Sequence, residues 1–383
     1  MFDAIIIGGG MSGISVAHFF RGRKILILER GALLSGATGS NAGFIVSGLG
    51  EHFNNTAARW GMERAREIQE IHLSNHRRIR ELAANTDCDY NGTGSFFAAL
   101  SEKERDDLQT SCEQLRSSGF PVEWSARPPV GITATLGALF NPGDASIDSA
   151  KFWPRLAAGI PTLTQCEVLE VRQTSIGNHL VTNRGEFEAS MLFFCLNAFS
   201  APLVPELEGR YIPLRGQMLE LGIQSTPPML CPVMAGYGDI YWRFLSDRLL
   251  FGGLEDLVAG AEVGIATNVS PEVTRVQMDW IQQHFDPMIV GDAPAPKKTW
   301  CSTMAFTVDG FPFVGSLPRK DQYVLAGLCG LGHGYAMECA FWLHELIENG
   351  RDIIPAYFRS DRIESLPVYQ GGDWRSLYEA WNH

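Results

Sequence analysis

Three glycines near the amino terminus are the first residues whose type and spacing imply chemistry. Gly8-x-Gly10-x-x-Gly13 follows an isoleucine-rich run, Phe2 to Ile7, and precedes an apolar stretch from Ile14 to Phe20. That order reads as strand, tight turn and helix. Gly8 permits the turn, Gly10 lets a pyrophosphate reach the backbone, and Gly13 lets the helix pack against the strand. The unpaired N–H groups of the helix start, with Met11 and Ser12 beside them, would face the phosphates. A second apolar run, Lys24 to Leu28, ends on Glu29, an acid placed to accept hydrogen bonds from ribose hydroxyls. A glycine turn in an unrelated α/β protein is the plain alternative. The order of strand, glycines, helix, strand and acid favours a dinucleotide.

Two further stretches share this chemistry. After Glu29-Arg30 comes a loop of small residues holding Ala37, Thr38, Asn41, Ala42 and Gly43, with no large apolar side chain between Leu34 and Phe44. Small side chains allow close approach to a flat ligand. A second glycine-rich loop, Gly330-Leu331-Gly332-His333-Gly334, leads into an apolar helix from Tyr335 to Glu348. Its spacing does not match G-x-G-x-x-G, and Asp352 to Pro355 offers no acid-tipped strand after it. The loop therefore reads as the far wall of one cofactor site, not as a second site for a nicotinamide. A helix start aimed at a flavin ring would stabilise negative charge at its N1–C2=O edge. His333 is placed to hydrogen-bond such a ring or to accept a proton near neutral pH, or to serve only through its backbone.

The elements that must position these residues follow from periodicity. Met62 to Asn85 reads as a long helix with Ile68, Ile71, Ile79 and Leu82 on one face. Ser101 begins a capping box with Glu104 and a helix to about Arg116. Ser149 to Ala158 reads as a helix containing Pro154. Cys166 to Arg172, Gly177 to Thr182 and Gly185 to Ala189 read as a meander, followed by an apolar strand from Met191 to Leu196. Tyr211 to Ile223, Asp239 to Leu245 and Leu249 to Gly253 alternate as strands and, with Ser95 to Leu100, predict a separate antiparallel sheet. Ser270 and Pro271 open a helix to Phe285. On the strand Ile240-Tyr241-Trp242-Arg243, Tyr241 and Arg243 share a face. Arg243 would hold a remote anion or form a surface ion pair.

Composition narrows the class. A net charge of −12 over 383 residues argues against a nucleic-acid partner. The basic run His76 to Arg80 reads as a solvated helix face. The eight cysteines contain no C-x-x-C pair and read as buried thiols of a reducing compartment, with no metal site. The first apolar run lacks a basic leader, and no run approaches the ~18 residues of a membrane span. The expectation is a cytoplasmic protein without a transmembrane segment.

With these residues in place, the chain resembles the FAD-dependent superfamily of D-amino-acid oxidase, glycine oxidase and sarcosine oxidase. Gly8 to Gly13 with Glu29-Arg30 matches the adenosine-binding start, and Ala37-Thr38 with Asn41-Ala42-Gly43 matches the loop across the flavin. Glu167-Val168 matches the strand whose valine holds the adenine, Arg215-Gly216-Gln217 the substrate sheet, and Asp309-Gly310-x-Pro312 with Gly330 to Gly334 the closing segments. The pattern of Asn197-Ala198-Phe199 and Trp300 to Asp309 is nearest to γ-glutamylputrescine oxidase-like members. The resemblance implies an α/β chain of glutathione-reductase-2-like architecture: a Rossmann-like FAD-binding domain (1–85, 140–210 and 300–383) and an antiparallel-sheet substrate domain (86–139 and 211–299). It implies noncovalent FAD, since Cys301 lies one residue from the position of a covalent cysteine, and hydride transfer from the carbon beside an amine to flavin N5. The imine formed would hydrolyse. Tyr241 matches a substrate-contacting tyrosine. Met304 stands where a carboxylate-binding arginine is usual and Ala336 where a lysine is, so the substrate is expected to be an amine whose acid group is remote or absent, with Phe44 and Met304 as pocket walls. No lysine lies between Lys151 and Lys297, which favours a dehydrogenase or a slow oxidase. The electron acceptor is O2 or a redox partner. A tRNA-base side-chain modifying enzyme and a non-catalytic flavoprotein are the rival readings.

Overall fold

A computed structural model describes residues 1–227 and 229–375. The chain forms two compact units, each assembled from separated segments. The first comprises Met1–Gly39, Ser149–Leu214 and Thr303–His383, and the second Ser40–Asp148 and Arg215–Ser302. Residues 40–85 thus cluster with the second unit, whereas the expected boundaries put them with the nucleotide domain. Local pairing supplies the reason: the short strand Phe44–Ile45 pairs antiparallel with Ala145–Ser146, and Asn54 is bonded to Asp107 and Ser111 of the helix Glu102–Ser117.

The first unit is built on a mixed sheet. Its central strand, Phe2–Ile7, lies parallel to Ile25–Leu28 on one side and to Gly185–Phe194 on the other. Gln322–Ala326 extends the sheet in parallel, and Phe313–Ser316 closes that edge antiparallel. The strand Phe2–Ile7 is fully apolar past Asp3 because both faces are covered. The glycine turn therefore leaves the carboxyl end of a strand flanked by neighbours reached in opposite directions, the place where such sheets bind ligands. Gly185 to Ala189 and Met191 to Leu196 are not separate elements: one strand runs through Gly185–Phe194, with its first half in the meander and its second in the sheet core. The last helix is also longer than expected. It starts at Gly332 and runs to Asn349, so half of the second glycine loop is helical, and Gly350 ends it in a left-handed conformation.

The second unit carries an eight-stranded sheet in the order Pro296–Thr307, Tyr211–Gly222, Arg248–Gly253, Ile240–Phe244, Pro232–Ala235, Ser95–Ala98, Ala138–Asn141, Glu123–Ser125. It is not wholly antiparallel, because Pro232–Ala235 lies parallel to Ser95–Ala98. Its two faces differ. Leu219, Phe251, Trp242 and Val233 sit in register across neighbouring strands and pack on Ile281 and Phe285, with Trp280 against them, from the helix Pro271–His284 and the residue after it. Ser270 caps that helix through Val273 N–H. The opposite face carries Met218, Gly252, Tyr241 and Met234 in register. Helix Glu102–Ser117 covers its far end through Leu108, Cys112 and Leu115.

The helix Met62–Ala83 corrects one expectation. His76 is buried rather than solvated, and its face also buries His72 and Asn75. Gly48 N–H donates to His72 Nδ1 at 2.7 Å, whereas both ring nitrogens of His76 lack a hydrogen-bond partner among the described residues, Nδ1 lying 3.8 Å from the Asp144 carboxylate. Ser47 and Ser95 hydroxyls both donate to that carboxylate at 2.6 Å. All eight cysteines are buried, and none forms a disulfide among the described residues. Among the described residues no helix is long and apolar enough to cross a membrane, and no cluster of acids, cysteines and histidines would hold a metal.

Trp242 is fully buried and its indole N–H donates to Val130 O at 2.9 Å. Trp242→Ala is expected to lower stability by about 3–5 kcal/mol, measured as a shift of the denaturant midpoint at unchanged slope.

Candidate active site

In the first unit the glycine turn is a set of backbone approaches that exclude side chains. Gly8 adopts φ +110°, and a Cβ there would stand 2.3 Å from Cys195 O. A Cβ at Gly13 would stand 1.9 Å from Gly8 O. The helix Met11–Phe19 opens on Gly10 with no side chain of its own as cap. Met11 N–H instead donates to Thr38 Oγ1 at 2.9 Å, so the small-residue loop folds back onto the helix start. Ile14 N–H is bonded to Gly10 O, leaving the N–H groups of Ser12 and Gly13 in the turn that has no partner within a helix.

Glu29 stands at the end of its strand as expected, but it also shapes the turn. Gly9 N–H and Gly31 N–H each donate to one carboxylate oxygen, both at 2.7 Å. Each oxygen keeps a lone pair for a ribose hydroxyl. Arg30 stacks on the Phe199 ring at 3.9 Å. Val168 is buried at the start of the strand Val168–Thr174.

The second glycine loop belongs to the same unit and packs on the first helix. A Cβ at Gly332 would fall 2.1 Å from Met11 Sδ. Gly330 turns with φ +77° beside Phe306 and the Met304 sulfur, 3.6 Å from where its Cβ would be. Leu331 caps no N–H through its side chain. The unit thus brings Gly8 to Gly13, Thr38, Met304 and Gly330 to Gly334 into neighbouring turns. His333 departs from the proton-acceptor expectation. Its Nε2 accepts from the Trp153 indole at 3.1 Å and lies 2.9 Å from Ser149 Oγ, with the ring stacked on Trp153. The ring serves to join two helices.

In the second unit, Asn41 Oδ1 accepts from Gly43 N–H at 2.7 Å. Gly43 adopts φ +72°, and a Cβ would stand 1.9 Å from Ile147 O. Ala42 then packs with Met218 and Leu250 on the sheet face that carries Tyr241, and Phe44, Tyr241, Leu245 and Trp300 pack against them. Trp300 is pinned by its indole N–H to Ser40 O at 2.6 Å. The Tyr241 ring meets Phe44 edge-on at 6.0 Å. It covers Gly252, where any Cβ would come within 2.5 Å of the ring. Burial raises the phenol above its ordinary pKa, with Glu255 and Cys301 adding to the effect. Arg243 is 6 % exposed and makes no ion pair among the described residues, so it is not a surface ion pair there.

Glu255 was not legible as a site residue. It follows Gly253 (φ +105°) and Leu254, which is forced to φ +69°, and its carboxylate accepts from Gln217 N–H. Burial pushes its pKa up to about 7, and Glu262 and Asp256 act in the same sense. The available signal was an acid placed just past a strand that ends in two glycines. Arg215 and Gln217 brace this region. Arg215 Nε donates to Ala266 O at 2.8 Å, and Gln217 Nε2 donates to Ser270 O at 3.1 Å.

Comparison with known proteins agrees with this arrangement. Residues 3–346 match the DAO family, described as FAD dependent oxidoreductase. The chain belongs to that family and is an FAD-dependent oxidoreductase. It is 26% identical to gamma-glutamylputrescine oxidoreductase of Escherichia coli (strain K12), over 98% of this chain and 89% of that protein. It is 23% identical to glycine oxidase of Bacillus licheniformis, over 85% of this chain and 87% of the relative. Among solved structures, glycine oxidase from Geobacillus kaustophilus superposes with a TM-score of 0.77 at 22% identity, covering 94% of this chain and 98% of its own. L-proline dehydrogenase from P.horikoshii gives 0.79 at 18%, covering 95% and 98%. Both share the fold.

The turn residues fit FAD. A helix start without a cap of its own, glycines with no room for Cβ, and an acid at the tip of the second strand are what its ADP half requires. Gly13→Ala is expected to yield folded protein with a flavin-to-protein ratio well below the wild type, read by absorbance beside circular dichroism. Glu255 gives a second expectation, on pH. Its folded pKa lies above the ordinary value of 4.5, so the folded state binds the extra proton between about 4.5 and about 7. Its contribution to stability is full below that window and falls as pH rises through 7. Glu255→Gln should flatten this decline in the melting temperature.

Proposed function

We propose that this chain oxidises the C–N bond of a primary or secondary amine, or of an amino-acid derivative, whose acid group is not adjacent to the reacting carbon. The observation that carries this reading is the apolar cluster around Tyr241 on one face of the second unit's sheet. Tyr241 stands there among Phe44, Met218, Leu250 and Trp300, beside Glu255. The named relatives act on a γ-glutamyl amine, glycine and proline, as their names say, which supports C–N chemistry and lends nothing to the tRNA reading. Met304, half-buried beside Gly330, has no charge with which to hold an adjacent carboxylate. We assign the first unit to FAD and the second to substrate. The reducing cytoplasm suits eight buried cysteines that form no disulfide among the described residues.

Gly8 to Gly13, Glu29 and Thr38 of the first unit would hold FAD, which would supply the hydride acceptor when bound. The chain's own residues must deliver a neutral amine. Phe44, Met218, Leu250 and Trp300 desolvate it, which disfavours the ammonium form. Glu255, with a pKa of about 7, is matched to taking the ammonium proton near neutral pH. Tyr241 keeps its hydroxyl protonated throughout the working range, so it can donate to substrate while accepting from it.

The test is a panel of primary amines, secondary amines and α-amino acids, scored by carbonyl product and released nitrogen. Amines without an adjacent carboxylate are expected to turn over fastest. Tyr241→Phe should raise KM several-fold, and Met304→Arg should shift preference toward α-amino acids. Turnover of α-amino acids alone, or no effect of either substitution, contradicts the assignment.

A further inference from the structure

The sheet face that carries Tyr241 also holds a buried cation, one of whose donors has no hydrogen-bond partner among the described residues. Arg243 lies two residues from Tyr241 on the same strand, opposite Leu250 on one side and Pro232 on the other. Its side chain is 6 % exposed, yet Nε has no hydrogen-bond partner among the described residues. The terminal nitrogen lies against Gly43, 3.0 Å from where a Cβ would be, so the positive φ at that position also clears room for the guanidinium. Desolvation brings its pKa down to about 10, with Asp148 and Asp89 favouring the charge and Arg248 opposing it. Arginine stays charged even so. A buried cation with an orphan donor is costly unless something satisfies it. Arginine's planar fork matches a carboxylate in two hydrogen bonds.

We propose that Arg243 binds the remote carboxylate of the substrate, so that the amines oxidised by this chain are those bearing an acid group several bonds from the reacting nitrogen. The inference rests on the proposed oxidation of amines and adds the class of amine. Tyr241 and Arg243 project from one strand face two residues apart, roughly 7 Å along the strand. That separation suits a chain of a few methylenes between amine and acid better than an α-amino acid, whose two groups share one carbon. The apolar neighbours Ala42, Met218 and Leu250 suit the methylenes.

The experiment measures binding, by calorimetry and by perturbation of the flavin spectrum of the holoenzyme. The probes are β-alanine, 4-aminobutyrate and 5-aminovalerate, each beside the alkylamine of equal length that lacks the acid. The wild type is expected to bind at least one ω-amino acid at least ~10-fold more tightly than its alkylamine. Arg243→Met should erase that preference, and Arg243→Lys should keep part of it, since the charge remains and the fork is lost. Arg243→Met is also expected to melt no lower than the wild type, because it removes an unpaired buried charge at similar volume; an arginine needed only for packing would lower the melting temperature. Equal binding of acids and alkylamines by the wild type, including no measurable binding of either, overturns the proposal. So does a preference that survives in Arg243→Met. Loss of flavin from Arg243→Met with the preference intact assigns the guanidinium to the cofactor and overturns it too. Tight, Arg243-dependent binding of an ω-amino acid that leaves the flavin oxidised upholds Arg243 and contradicts the oxidation of amines instead.

Discussion

The first unit depends on backbone passing backbone without side chains between. At Gly8 and Gly13 a single methyl group would stand 2.3 Å and 1.9 Å from carbonyl oxygens. At Gly332 it would strike the Met11 sulfur. These contacts set how close the two glycine-started helices come to the strand ends and to each other. A helix start pressed so near a sheet edge offers its N–H groups and positive dipole end to an anion. Thr38 and Glu29 then complete the turns from outside, each by accepting backbone N–H groups. A phosphate bound there would meet mostly main chain.

The second unit solves a different problem. One face of its sheet is closed by the helix Pro271–His284 over Trp242, Phe251 and Leu219. The other face carries helix Glu102–Ser117 at its far end and, around Tyr241, the smaller cluster of Ala42, Met218, Leu250, Phe44 and Trp300. A tyrosine over a glycine, a buried guanidinium with an orphan nitrogen and a carboxyl poised near neutrality make poor packing. Such departures from a satisfied core gather where a chain binds ligands. Leu254 adds to them, holding a left-handed turn that a side chain with a Cβ resists, and so setting Glu255 in place.

What was legible in the sequence was whatever depends on local pattern. The glycine turn, the acid-tipped strand, the capped helices at Ser101 and Ser270 and the alternation around Tyr241 all appear where the residues imply them. What was missed depends on distant partners. His76 looked solvated because Asp144, Ser47 and Ser95 are far away in sequence. His333 stayed open between a chemical and a structural role because Trp153, which donates to its Nε2, lies 180 residues earlier. Arg243 looked like a surface charge because nothing nearby marks Gly43 as its neighbour. The helix Phe53–Trp60 went unseen because Asn54, Asn55 and Thr56 dilute its pattern and its stability comes from helix Glu102–Ser117.

Anaerobic mixing of the purified flavoprotein with an ω-amino acid carrying either hydrogen or deuterium on the carbon next to the amine tests whether the chain uses FAD to break the C–H bond beside a nitrogen. Loss of the oxidised-flavin absorbance, slowed several-fold by deuterium at that carbon, is expected. Flavin that stays oxidised across the whole series of amines, or that is reduced at a rate indifferent to deuterium there, would contradict it.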